Sequence, residues 1–264
     1  MIGLAKFLHN LTSKDADRRL KALKAIADRI IPDFRLTWCQ VDWWQDADFN
    51  AYLDRFGHRK GFHTHHRWML WQLMRLVSDV DGDTAECGVW EGASSWLICA
   101  ANRGKVRTHH LFDSFEGMSA PGPRDGDYWK PGAMAADEEL VRRNLQPFEK
   151  SFVIHKGWIP ERFDDVAGKR FAFVHIDVDL HEPTMDSVEF FYPRLAPGGI
   201  LLCDDYAIGT CVGATEAIDD FFDDKPEKMI ALDAGGGFMI KGVVTAPAND
   251  PRPALVPERS RSGQ

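Results

Sequence analysis

Four aspartates stand where two successive apolar runs of the sequence end, and their type and spacing indicate a cation site. Asp177 and Asp179 follow one run, and Asp204 and Asp205 follow the next. The ends of neighbouring strands lie about 5 Å apart, so these carboxylates meet at one sheet edge and repel one another unless a cation or a proton neutralises them. The sequence therefore predicts a site for a hard ion such as Mg²⁺, with three of the four carboxylates as ligands.

The remaining carboxylate at this edge is a candidate general base. A cation there can hold two neighbouring hydroxyl groups of an acceptor and lower the pKa of one of them. Asp177 or Asp179 can then accept the departing proton, and His181, in the loop that follows, is a candidate for acceptor contact or proton transfer. The alternative, that aspartates only cap the following helices, explains one or two of them readily but not all four.

A glycine-containing loop at 86–92, with the spacing E-x-G-x-x-x-G, follows the first predicted strand. Glycines there let the backbone turn sharply and approach a ligand. The dinucleotide fingerprint G-x-G-x-x-G is missing, because Trp90 occupies the position of its second glycine. A cofactor without phosphates, S-adenosylmethionine, fits better, and Glu86 suits its charged methionine end. A tight structural turn is the alternative.

Two further segments complete the predicted cofactor site. Asp113 ends the second strand 25 residues after Gly88, where its carboxylate can accept hydrogen bonds from both hydroxyls of a ribose, in either NAD or S-adenosylmethionine. Capping of the turn at Ser114 is the alternative role for Asp113. The segment 156–158 follows the third strand, where the indole or the backbone of Trp158 can flank an adenine.

The histidines and one long loop carry weaker signals. His175 lies one pleat deeper than Asp177, which predicts a packed or supporting residue rather than a ligand. The cluster 63–66 is predicted to be a solvated helix start, since no Cys or Asp near it in the sequence supports a metal site. The Pro- and Gly-rich segment 119–132 is either a substrate-gating lid or an ordinary surface loop.

Composition narrows the class of partner. The chain has 264 residues, is 44% hydrophobic and carries 32 basic against 40 acidic residues, for a net charge of -8. This charge argues against nucleic acid or an anionic membrane as the partner and favours a small molecule. Five cysteines, an odd number, predict a reducing cytoplasm, and no run approaches the roughly 18 apolar residues of a membrane span.

From residue 84 onward, short apolar runs alternate with helical segments, which predicts parallel strands joined by crossover helices. The last two runs are joined by four residues, too few for a crossover, so they should pair antiparallel. The prediction is a doubly wound α/β fold: a mostly parallel seven-stranded, Rossmann-like sheet of the class I methyltransferase type with a terminal antiparallel strand. The predicted strands are 84–89, 107–112, 151–155, 171–176, 199–203, 229–232 and 237–240.

Three regions are predicted along the chain. Residues 1–66 form an N-terminal helical extension for capping or oligomerisation together with a lid segment, and they include an amphipathic helix at 14–31. Residues 67–244 form the cofactor-binding domain. Residues 245–264 carry several prolines and arginines without apolar periodicity, which predicts a disordered tail.

With these motifs in hand, the chain resembles the macrocin O-methyltransferase family, metal-dependent enzymes that methylate sugar hydroxyls of macrolides and related natural products. His181 departs from the family's usual tyrosine, which bears on the acceptor more than on the reaction. The matching stretches are ECGVWEG at 86–92, FDSFEG at 112–117, HKGW at 155–158, HIDVDL at 175–180, FFYPRLAPGG at 190–199 and DDY at 204–206.

The resemblance implies S-adenosylmethionine and Mg²⁺ as cofactors, a hydroxylated small-molecule acceptor such as a sugar, and a homo-oligomer built through the N-terminal helices. A non-catalytic S-adenosylmethionine-binding scaffold remains an alternative. A nucleotide-dependent oxidoreductase is disfavoured by the missing glycine and by the lack of a hydride-transfer set. The metal ligands expected are Asp177, Asp204 and Asp205, and the catalytic residues Asp179, Asp177 and His181. The expected cofactor contacts are Glu86, Gly88, Val89, Gly92, Ser94, Asp113, Ser114, Phe115, Gly157, Trp158 and Asp177.

Overall fold

The computed structural model describes residues 4–30, 46–57, 64–233 and 235–245. The chain divides into two compact units, Met1–Tyr52 and Leu53–Gln264. The predicted disordered tail lies, from residue 246 onward, outside the described residues. Within the described ranges, no helix has the length and apolar character needed to cross a membrane.

The first unit contains two paired helices, α1 (Leu4–Leu11) and α2 (Ala16–Ile30), and most of α3 (Ala47–Arg55). The helix predicted at 14–31 is therefore confirmed as α2. Its apolar stripe stays open to solvent in the single chain: the side chains of Leu23 and Ile30 are 52% and 72% exposed.

The second unit is built on one sheet with helices between its strands. Its helices are α4 (Thr64–Leu76), α5 (Ala93–Ala101), α6 (Glu138–Asn144), α7 (His181–Phe191) and α8 (Val212–Phe222). Its strands are β1 (Asp83–Cys87), β2 (His109–Asp113), β3 (Phe152–Lys156), β4 (Phe171–Ile176), β5 (Leu195–Cys203), β6 (Ile230–Ala231) and β7 (Gly237–Ile240).

The seven strands lie in the order β3-β2-β1-β4-β5-β7-β6. The first five pair in parallel, whereas β7 runs antiparallel to both β5 and β6. The predicted mostly parallel sheet with a terminal antiparallel strand is confirmed. β6 spans only two residues, fewer than the run at 229–232 indicated.

The core explains why these runs form parallel strands. Every residue of β4 is buried, as expected for a strand covered by helices on both faces. Phe112, Phe163 and Phe191 stack edge-to-face with centroids 5.1 to 5.8 Å apart. Each buried phenylalanine contributes roughly 1.5–3 kcal/mol by leaving water, so this cluster fixes α7 against the sheet.

The strand order creates a crevice at one point of the sheet. β1 lies between β2 and β4, so the chain leaves β1 toward one side and later returns on the other. In open parallel sheets, ligands bind at the carboxyl ends of the strands where this reversal occurs. The predicted glycine loop follows β1 and the first aspartate pair follows β4, which brings both to this crevice.

Candidate active site

The glycine loop closes directly against the end of β4. Gly88 has a φ of +82°, and a β-carbon there would lie 1.8 Å from the carbonyl oxygen of Asp177. The Gly88 N–H donates to the Phe112 carbonyl at 2.9 Å, and the Asp177 N–H donates to the Cys87 carbonyl at 2.8 Å. Only glycine fits this position. Because Gly88 has no side chain, the loop can contact the sheet edge that carries Asp177, Asp179, Asp204 and Asp205, which we call the acidic edge.

Asp113 joins the end of β2 to this loop. One carboxylate oxygen accepts hydrogen bonds from the N–H groups of Val89 at 2.7 Å and Trp90 at 3.0 Å, and the other accepts from Phe115 at 2.7 Å. A carboxylate offers about four acceptor positions, so about one remains for a ligand hydroxyl. The predicted turn-capping role is thus real, and it leaves room for a contact with a ribose.

The other predicted cofactor residues lie around the carboxyl ends of β1, β2 and β3. Gly92 precedes α5, whose first turn buries Ser94. The Ser114 hydroxyl accepts from the Glu116 N–H at 3.1 Å. Gly157 donates its N–H to the Asp113 carbonyl at 3.1 Å, and Trp158 next to it is half-buried. The structure thus places these residues at neighbouring strand ends; their contact with a cofactor stays a prediction.

Glu86 lies beneath the loop rather than in it. Its side chain is fully buried, and its two oxygens contact the Ser95 hydroxyl and, at 2.8 Å, the Nδ1 atom of His175. Burial alone raises the pKa of Glu86, but His109 and His175 outweigh that effect and hold this pKa well below its usual range. Glu86 is therefore an ionised carboxylate enclosed by protein.

The four aspartates form two adjoining groups. The possible ligand atoms of His175, Asp177 and Asp204 lie within 4.8 Å of one another, and so do those of Asp179, Asp205 and Cys211. The predicted metal ligands are thus divided, with Asp177 and Asp204 in one group and Asp205 in the other.

Each carboxylate of the pair after β5 is held differently. Asp204 accepts from Nδ1 of His66 at 2.8 Å and faces Nε2 of His175 at 3.4 Å. Asp205 instead accepts from the main-chain N–H groups of Val178 at 3.1 Å and Asp179 at 2.8 Å. Side chains therefore orient the first carboxylate, and the backbone of the loop after β4 orients the second.

Among the described residues, the carboxylates of the two groups are buried close to one another, and each disfavours the charged form of its neighbours. Burial and the neighbouring Asp204 charge raise the pKa of Asp177 to about 8, and burial raises that of Asp179 to about 6. Burial and the nearby aspartates also raise the pKa of Asp205 well above its ordinary value. A buried arginine, Arg67, stands 4.0 Å from Asp177. Buried carboxylate oxygens that repel one another in this way suit a divalent cation such as Mg²⁺, which prefers oxygen ligands.

His181 begins α7 and faces the loop at 119–132. Its main-chain N–H donates to Asp125 at 2.6 Å, and its Nε2 accepts from Arg124 at 2.7 Å. Arg124 also donates to Glu216 and Asp220, each at 2.8 Å. The loop at 119–132, a possible lid, is thus hydrogen-bonded to α7 and α8, and His181 takes part in these hydrogen bonds.

Two members of this site lie outside the sets of ligands and catalytic residues that the sequence predicted. His66 is only 8% exposed and bonds to Asp204, so the solvated helix start predicted for 63–66 is wrong at this position; His63 lies outside the described residues. The partner aspartate is 138 residues away, and no local pattern signals it. Cys211 donates to Asp179 at 3.3 Å, a contact that follows from the packing of α8.

The strand order and this crevice, with its glycine loop and acidic edge, define the class I methyltransferase fold. The calicheamicin methyltransferase CalS11 has that fold with a TM-score of 0.61 at 18% identity, over 88% of this chain and 95% of that one. The family model of macrocin O-methyltransferases (TylF) matches residues 71–241, and the chain belongs to that family.

Two relatives share more of the sequence. The O-methyltransferase NovP is 27% identical with a TM-score of 0.53, over 66% of this chain and 79% of that one. A Streptomyces olivaceus protein, 8-demethyl-8-(2,3-dimethoxy-alpha-L-rhamnosyl)-tetracenomycin-C 4'-O-methyltransferase, is 33% identical over 159 residues. That match covers 55% of this chain and 60% of the relative, so the chain spans less than two thirds of that protein's length.

Proposed function

We propose that this protein transfers a methyl group from S-adenosylmethionine to a hydroxyl group of a sugar on a natural product, with Mg²⁺ bound at the acidic edge. The observation that carries the proposal is the pair of adjoining carboxylate groups, Asp177 with Asp204 and Asp179 with Asp205, beside the glycine loop, where Gly88 packs on Asp177. The related protein from Streptomyces olivaceus is named for O-methylation of a rhamnosyl tetracenomycin, which supports the sugar acceptor.

One set of residues binds S-adenosylmethionine and another binds the acceptor. S-adenosylmethionine supplies an electrophilic methyl group when bound, and we assign its ribose to Asp113 and its adenine to the edge at Gly157 and Trp158. The loop around Gly88 lets the backbone approach the methionine part. These residues bind and orient; they exchange no protons.

The acidic edge serves the acceptor. A divalent cation there supplies charge that holds an acceptor hydroxyl and lowers its pKa, and Asp177, Asp204 and Asp205 are the residues that would hold it. We assign Asp179 the role of proton acceptor at its carboxylate, with Asp177 as the alternative, because Asp179 is the carboxylate of this edge that remains when the other three hold the cation. His181 contacts the acceptor, or fastens the loop that does.

The test is a methyl-transfer assay on sugar-bearing natural products, read by product mass. Turnover should require added Mg²⁺, stop with EDTA, and be absent in Asp204→Asn while S-adenosylhomocysteine binding stays within a few-fold of the unmodified protein. Turnover that continues in EDTA would refute the metal role. Cofactor binding without turnover on any acceptor, with Mg²⁺ present, would favour a binding scaffold instead.

We also propose self-association through the first unit. The apolar stripe of α2 is open in the single chain, with Ile30 72% exposed, and a second copy would remove it from water. Light scattering after gel filtration should give an oligomer for the unmodified protein and a smaller species for Leu23→Glu combined with Ile30→Glu. An unchanged mass in the double variant would exclude α2 as the interface.

A further inference from the structure

A continuous row of buried polar side chains runs from beneath the glycine loop to the acidic edge. The Glu86 carboxylate contacts Nδ1 of His175 at 2.8 Å, and Nε2 of the same ring faces one oxygen of Asp204 at 3.4 Å. The second oxygen of Asp204 accepts from Nδ1 of His66 at 2.8 Å. The row joins β1, β4, the end of β5 and the start of α4.

Every member of this row is enclosed by protein. The side chains of Glu86 and His175 are 0% exposed, and those of His66 and Asp204 are 7% and 8% exposed. Buried polar groups with satisfied hydrogen bonds are held in one geometry, because each alternative leaves an unpaired group in a low dielectric. Asp204 is therefore fixed from two sides, one histidine on each oxygen.

This arrangement leaves Asp204 able to bind a cation. Two hydrogen bonds occupy about two of the four acceptor positions of a carboxylate. Metal-binding carboxylates are commonly held by hydrogen bonds from groups that do not touch the metal, and the loss of such a group typically weakens metal binding about 10- to 100-fold. Asp205 is held in a different way, because the backbone N–H groups of Val178 and Asp179 donate to it.

We infer that His66 and His175 are positioning residues that fix the Asp204 carboxylate for cation binding, and that Glu86 serves this site by orienting His175 rather than by touching the cofactor. The inference rests on the proposed metal-dependent function and extends it to three residues outside the expected ligand set. Glu86 therefore supports the proposed metal site, although it lies in the sequence motif of the glycine loop.

The experiment measures Mn²⁺ binding by electron paramagnetic resonance and S-adenosylhomocysteine binding by calorimetry, each without the other ligand. His66→Leu and Glu86→Gln should each weaken Mn²⁺ binding about 10- to 100-fold and leave S-adenosylhomocysteine binding within a few-fold. His66→Asn should restore most of the Mn²⁺ affinity, because the asparagine amide nitrogen can take the place of Nδ1 as donor to Asp204.

His110→Gln is the matched control. His110 is also a buried strand histidine that contacts a carboxylate, Asp83, at 3.2 Å, but it has no link to Asp204. Its replacement should lower thermal stability and leave the Mn²⁺ affinity unchanged. Glu86→Gln keeps the size of the original side chain and His66→Asn keeps a hydrogen-bond donor, so these two variants test the inference even where His66→Leu fails to fold.

The outcomes separate this inference from the proposed function. If the unmodified protein binds Mn²⁺ and Asp204→Asn does not, but His66→Asn, His66→Leu and Glu86→Gln all bind like the unmodified protein, the positioning role is wrong and the metal site stands. If Glu86→Gln loses S-adenosylhomocysteine and keeps Mn²⁺, Glu86 is a cofactor contact and the inference is overturned. If the unmodified protein binds no Mn²⁺, the proposed metal site and this inference both fall.

Discussion

Gly88 packs against the main-chain carbonyl of Asp177 so closely that a β-carbon on Gly88 would lie 1.8 Å from that oxygen. The contact joins the end of β1 to the end of β4, and thus the glycine loop to the acidic edge. Any side chain at position 88 must push these two strand ends apart.

We therefore predict that Gly88→Ala destabilises the protein by more than about 3 kcal/mol, the sum of an unfavourable left-handed backbone and a clash with fixed backbone atoms. Urea denaturation provides the measurement. Gly104→Ala is the control, because Gly104 has a φ of +77° but open space around it, so it should lose only about 1–2 kcal/mol. Equal losses in the two variants would mean that the contact with Asp177 is unimportant.

Asp113→Asn should weaken S-adenosylhomocysteine binding by at least about tenfold, because the amide has a single acceptor oxygen for the loop N–H groups and the ribose hydroxyls together, and a hydrogen bond to a charged group contributes ~1.5–3 kcal/mol. Calorimetry measures the effect. Asp137→Asn is the control: Asp137 caps α6 through the Glu139 N–H at 3.0 Å, and asparagine caps as well as aspartate. Unchanged affinity in Asp113→Asn would remove Asp113 from the cofactor site.

Arg124→Ala should loosen the loop at 119–132, because Arg124 joins that loop to His181, Glu216 and Asp220. Amide hydrogen exchange in this segment should become several-fold faster, and moderate salt should produce part of the same effect in the unmodified protein. Arg142→Ala, which removes an exposed ion pair with Glu138 within α6, should leave the segment unchanged. Identical exchange in Arg124→Ala would show that the loop is held by other contacts.

Stability should fall in mild acid because of His110. Burial lowers the pKa of His110 from 6.5 to about 4, so the unfolded chain binds more protons between these values and stability is lost as the pH falls through them. The ring faces Asp83 at 3.2 Å through Nε2 and His155 at 3.0 Å through Nδ1, and it is enclosed by protein, so a charge on it is poorly solvated.

The free energy of unfolding should thus decrease between about pH 7 and about pH 4.5 by about 2–3 kcal/mol more in the unmodified protein than in His110→Gln. Urea denaturation at the two pH values measures this difference. Parallel losses in both proteins would assign the acid sensitivity to other groups.

The fold was predictable because its signals are local. Apolar runs of strand length, such as 171–176, can be buried on both faces only within a parallel sheet covered by helices, and the four residues between the last two runs allow only a hairpin. The 25-residue step from Gly88 to Asp113 likewise corresponds to one crossover. The exact length of β6 was not predictable, because it depends on how β7 pairs with its neighbours.

The candidate site was predictable only in part. The sequence indicated which carboxylates reach the acidic edge, since strand ends meet there. It did not indicate how they divide into two groups, that His66 bonds to Asp204, or that both oxygens of Glu86 are enclosed, because these follow from side-chain contacts between elements far apart in the chain. The solvated position expected for His66 was wrong for this reason.

The central claim, that carboxylates from the ends of β4 and β5 together hold a divalent cation, is tested most directly by anomalous diffraction from crystals grown with Mn²⁺ and S-adenosylhomocysteine. The account predicts one strong anomalous peak at coordination distance from an oxygen of Asp204 and from an oxygen of Asp177 or Asp205, and this peak should be lost in crystals of Asp204→Asn. Crystals with bound S-adenosylhomocysteine and no anomalous peak at these carboxylates would contradict it.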